Sequence, residues 1–154
     1  MEILAEADRL WAAGAARRFA ADLGFTPEEQ ARIAVSVAEL ASNVAKHGGG
    51  GRIELTAITS PVLGCAVRAI DTGPGFASIE DSFHDGFSEG RWLTPDVHAH
   101  ERRGLGVGLG AVRRLMSAIR VQSRPGGGAV IEAVLWRAPV RTRDDVEEET
   151  CPRT

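Results

Sequence analysis

The segment TPEEQARIAVSVAELASNVAK, residues 26–46, constrains the fold more than any other. Thr26 suits a helix cap, Pro27 suits the first turn, and Glu29 completes a capping box. Ile33, Val37, Leu40 and Val44 then recur at steps of four and three, which makes one apolar face. The glycines from Gly48 to Gly51 end the run. A long helix with one apolar face must cover something, and the flanking sequence offers strands for it to cover.

EILA at residues 2–5 reads as a short first strand. Residues 52–58 and 65–70 alternate as two strands joined by SPVLG. IRVQS and AVIEAVLW form a further pair around the turn RPGGG. Two more helices complete the set. One runs from Asp8 to Leu23, with Leu10, Trp11 and Phe19 as expected core anchors and Gly24 as its stop. The other emerges from the glycine-rich GLGVGLGAVRRLM. Short links between neighbouring strands predict an α/β (α+β) two-layer sandwich: a mixed, mostly antiparallel sheet with helices on one face. Residues 77–103 are polar and without period, a long functional or mobile loop. From Ala138 the hydrophobic face disappears, so residues 1–137 read as a single domain and 138–154 as a polar, flexible tail. There is no internal repeat.

The 154 residues suffice for one core, and a net charge of -3 gives no footing for general nucleic-acid binding. Two cysteines make no disulfide framework and suit a reducing cytoplasm. No signal peptide or membrane-spanning apolar run is apparent. Almost all the positive charge is arginine, and Lys46 is the only lysine.

Three polar elements stand out from this scaffold. Glu39, Asn43 and Lys46 share a stripe roughly 60° wide on the long helix, about 110° from the centre of its apolar face, with Ser36 and Arg32 on or near it. Alone, such a stripe reads as a solvated flank. DTGPGF, residues 71–76, follows a strand directly, so Asp71 can point into a cleft while Gly73 and Gly75 let a ligand approach closely. Its bland alternative is an ordinary turn with a capping Asp. GLGVGLG, residues 104–110, can turn backbone N–H groups towards phosphate at a helix start, or act only as a hinge. Gly106, Gly108 and Ala111 match a dinucleotide-binding pattern, but no buried strand precedes them. His84, His98 and His100 fit no standard zinc spacing.

Taken in order, Glu39-x-x-x-Asn43, Asp71-x-Gly73-x-Gly75 and Gly104-x-Gly106-x-Gly108 resemble the three nucleotide-binding boxes of the GHKL ATP-binding superfamily. Within it, GFTPEEQARIAVSVAELASN, DGFSEG and GLGAVRRLM look like the small bacterial anti-sigma regulatory serine/threonine kinases of the RsbT, RsbW and SpoIIAB type, RsbT-like switch kinases above all. The resemblance implies a Bergerat fold that binds ATP and Mg²⁺. It implies that Asn43 holds the metal, Asp71 accepts from the adenine amino group, Glu39 acts as general base and Lys46 approaches the phosphates. Gly73, Gly75, Phe76, Gly104, Leu105, Gly106, Val107, Gly108 and Leu109 would shape the pocket and lid. The implied activity is phosphorylation of a STAS-domain partner in a partner-switching pathway in the cytoplasm. A sigma factor or PP2C-type phosphatase is the further implied partner, and a homodimer is allowed. The alternatives are a nucleotide-dependent binding module without kinase activity, and a catalytic domain serving a separate histidine phospho-acceptor. Two departures stand against the pattern: Ala129 follows the hairpin glycines where a Thr is common, and the stretch between Gly86 and Gly104 is long.

Overall fold

The computed structural model describes residues 1–75 and 108–138, and the backbone of 87–88 and 91–92. A short strand β1 (Glu2–Ile3) leads into α1 (Asp8–Asp22) and α2 (Pro27–His47). The hairpin β2 (Gly51–Ile58) and β3 (Gly64–Asp71) follows. The two-residue strands β4 (Phe87–Ser88) and β5 (Arg91–Trp92) pair with each other inside the stretch expected to be irregular. The chain then forms α3 (Gly108–Leu115) and a last hairpin, β6 (Ala118–Ser123) and β7 (Ala129–Trp136).

The main sheet has the order β1-β2-β3-β7-β6, and every pairing in it is antiparallel rather than mixed. Its inner face presents Ile53, Val67, Ile131 and Leu135 to Ile33, Val37, Leu40 and Val44 of α2 in one buried core. On the outer face the register sets Glu54 opposite Arg68, Arg68 opposite Glu132 and Glu132 opposite Arg120, a row of alternating charge across four strands. Opposite charges on neighbouring strands favour this register and keep the uncovered face in water.

The capping box of α2 is formed in full: Thr26 Oγ1 accepts from Glu29 N–H, and Glu29 Oε2 accepts from Thr26 N–H at 2.8 Å. Glu29 also reaches the far end of the chain, because its Oε1 accepts the Ala138 N–H at 2.9 Å. Burial raises the Glu29 pKa, but the bonds from Ala138 and Thr26 and the charge of Arg32 more than reverse this, so it lies below the usual 4.5. Ala138, expected to open the tail, is therefore tied to the domain; residues 139–154 lie outside the described residues.

Helix α1 corrects the sequence reading. Leu10 and Trp11 are exposed, at 72% and 57%, and Phe19 packs only partly on the core. The buried face is Ala12, Ala16 and Ala20. Small side chains let α1 lie close against its neighbours, a contact that a Leu/Trp face would hold apart. Trp136 lays its ring over Gly64, where a Cβ would stand 2.6 Å from Cε3. No helix among the described residues is long and apolar enough to cross a membrane.

Candidate functional site

Asp71 is the last residue of β3, on the same face as the buried Val67 and Ala69. Strand alternation therefore aims its carboxylate at the helix layer. Its Oδ1 accepts two backbone N–H groups, from Gly73 at 3.0 Å and from Ala129 at 3.1 Å. Its main-chain oxygen accepts from Arg124 Nη1 at 3.3 Å. The carboxylate is thus oriented from its own turn and from the β6–β7 hairpin together.

Backbone packing locks this corner. A Cβ on Gly73 would overlap the His47 carbonyl oxygen and approach Gly48 Cα to 2.8 Å, so the turn after β3 rests directly on the end of α2. A Cβ on Gly128 (φ +89) would overlap the Asp71 carbonyl oxygen, and Gly128 N–H donates to the Gly73 carbonyl. Only glycine satisfies both the close approach and the positive φ at 128. The His47 side chain is exposed; it is the backbone there that packs.

The α2 stripe runs away from this corner. Gly48, the α2 cap, sits against Asp71, and Asn43 lies five residues earlier, about 7.5 Å along the axis. Glu39, Asn43 and Lys46 are all partly buried. Burial raises the Glu39 pKa above the usual 4.5, although the charges of Arg9 and Lys46 oppose the shift. Lys46 Nζ lies 3.0 Å from Glu6 Oε1 in the turn before α1. Further up the stripe, Ser36 is fully buried with no hydrogen-bond partner among the described residues, and Arg32 Nε donates to the Leu115 carbonyl at 2.8 Å, fastening the end of α3 to α2.

Helix α3 begins at Gly108, where a Cβ would meet nothing among the described residues, and the Leu109 side chain lies in the hydrophobic core. Any part Leu109 plays in a pocket is therefore a main-chain one. Phe76, Gly104, Leu105, Gly106 and Val107 lie outside the described residues, as do His84, His98 and His100. Among the described residues no group of three His, Cys, Asp or Glu side chains is placed to hold a metal.

Comparison with known proteins shows the family. The family described as histidine kinase-like ATPase domain matches residues 4–133. The chain is 34% identical over 137 residues to the serine/threonine-protein kinase RsbT of Bacillus subtilis (strain 168), covering 88% of this chain and 94% of that protein. The chain belongs to the histidine kinase-like ATPase domain family. It is also 30% identical to the anti-sigma F factor of Thermoanaerobacter sp. (strain X514), covering 73% of this chain and 74% of that protein. Full-length ShkA, solved in complex with AMPPNP, shares the fold with a TM-score of 0.51 at 22% identity, over 87% of this chain and 30% of that one.

Within this histidine kinase-like ATPase domain, two contacts had no signal in the sequence. The Ala129 position drew notice for its missing hydroxyl, yet its backbone N–H is what reaches Asp71. Only the strand register, which starts β7 opposite the end of β3, reveals that bond. Glu6 sits in a connecting turn with no periodicity to mark it, and it pairs with Lys46 through the fold alone.

Proposed function

We propose that this chain is an ATP-dependent serine/threonine protein kinase of the anti-sigma regulatory type, acting in the cytoplasm on a STAS-domain partner. The activity follows the likeness to RsbT over 88% of the chain. The single observation that carries the nucleotide reading is the Asp71 corner, a carboxylate oriented by two main-chain N–H groups at the end of a strand beside the N-box helix. A fixed acceptor there suits the exocyclic amino group of adenine and rejects a base that offers a carbonyl at that point.

Roles for the remaining residues are those that the resemblance to the GHKL superfamily implies. Asn43 and Glu39 offer an amide oxygen and a carboxylate on one helix side, and hard oxygen donors of this kind suit Mg²⁺. Asn43 would hold the ion. Bound Mg²⁺ supplies neutralisation of the phosphate oxygens. Glu39 would orient the partner's hydroxyl and accept its proton. Partial burial, by raising the basicity of Glu39, favours that step. Lys46 would face the phosphates three residues beyond Asn43. Gly73, Gly75 and the residues from Gly104 to Leu109 would enclose the nucleotide.

The likeness to anti-sigma F factors favours a second reading, a nucleotide-dependent module that sequesters a sigma factor without transfer. Incubation with ATP and a STAS-domain protein separates the two: an acid-stable phosphoprotein supports the kinase, and tight ATP binding without one supports the module. The nucleotide site itself is tested by titrating ATP with Mg²⁺ into the wild type, Asp71→Asn and Asn43→Ala. Asp71→Asn is expected to abolish binding, and Asn43→Ala to remove its dependence on magnesium. Unchanged curves for both variants would defeat the assignment.

A further inference from the structure

Glu6 lies in the turn between β1 and α1, where Asp8 Oδ2 accepts the N–H groups of Leu4 and Ala5, each at 2.9 Å. Its Oε1 is shared by two cations, Lys46 Nζ at 3.0 Å and Arg9 Nη1 at 3.6 Å. The two pairs differ in exposure. The Lys46 side chain is only 14% exposed, against 37% for Arg9. A largely covered ammonium requires anionic contact, and Glu6 provides it. Lys46 is also three residues from Asn43, so the two side chains are neighbours on the helix surface. A phosphate on a metal ion held by Asn43 would therefore be within reach of the same ammonium.

We propose that Glu6 is a positioning residue for Lys46, its carboxylate and a nucleotide phosphate being alternative partners for that single ammonium. The inference rests on the reading of Lys46 as a phosphate-facing group. Carboxylate and phosphate oxygens both accept charge-assisted bonds from an ammonium, and a triphosphate brings the greater charge. Engagement of phosphate leaves Glu6 paired with Arg9 alone of these two cations.

The test is a double-mutant cycle on the full chain, read by calorimetric titration of ATP and of AMP with Mg²⁺. Removing the competitor in Glu6→Gln is expected to tighten ATP binding about fivefold and to leave AMP binding unchanged. In a Lys46→Met background the same change is expected to have no effect on ATP. An unchanged or weakened ATP affinity in Glu6→Gln overturns the proposal, as does an equal gain for AMP. A gain that survives in Lys46→Met overturns it too, because it would reflect only the loss of a negative charge. Each of these results leaves the nucleotide site standing, whereas a wild type that binds no ATP removes both.

Discussion

At Asp71 the chain fixes one carboxylate with main-chain groups, whereas along α2 it sets charged side chains against one another. The Asp71 corner is held by N–H donors from Gly73 and Ala129 and by glycines too closely packed to accept a Cβ. The α2 stripe places Glu39 under the influence of Arg9 and Lys46, and Lys46 under the hold of Glu6. Main-chain geometry cannot be adjusted without moving a strand or a helix end, so that end suits discrimination of a base. Side-chain charges exchange partners at little cost, so the other end suits a step in which charge moves. The two halves should respond oppositely to mutation, through stability at one and rate at the other.

Glu39→Gln should have the largest effect and fall entirely on rate. The amide keeps the shape but cannot take a proton, so phosphotransfer should slow by about 10²–10⁴-fold while ATP affinity and thermal midpoint hold. With Glu39 as the proposed base, the wild type requires it ionised, and its raised pKa predicts that activity falls with decreasing pH from above 4.5. Arg9→Gln removes an opposing positive charge and should move that acid limb upward in a kcat/KM profile. Gly73→Ala should act in the other half and on stability. Its Cβ has no room against His47 and Gly48, and a loss of about 3 kcal/mol, near 10 °C in Tm, is expected by calorimetry. Folding unchanged in Gly73→Ala would break the contrast between the halves. Smallest of all, Leu10→Ser and Trp11→Ser should each stay within about 0.5 kcal/mol in denaturant unfolding, because neither packs in the core.

Helix α2 was legible because every local signal agreed: cap, first-turn proline, capping-box glutamate, apolar period and terminal glycines. The position of Asp71 at a strand end was legible because an apolar strand gives way there to spaced glycines. Helix α1 was not. Its largest apolar residues face outward and its core face is alanine, so a reading that weights side-chain size picks the wrong side. The Ala129 bond and the Glu6 pair were equally hidden, since they join residues 58 and 40 positions apart through the register of the sheet and the path of a turn.

The bond from Ala138 to Glu29 has a practical bearing. The chain leaves the last strand only to be pinned at the first turn of α2, some ten residues before Glu39 on the same rod. Mechanical load at Ala138, from a fused reporter or a surface tether, is therefore delivered to the helix that carries the proposed base. A cut just before Ala138 would leave the Glu29 carboxylate short of one main-chain donor and loosen that helix at its root.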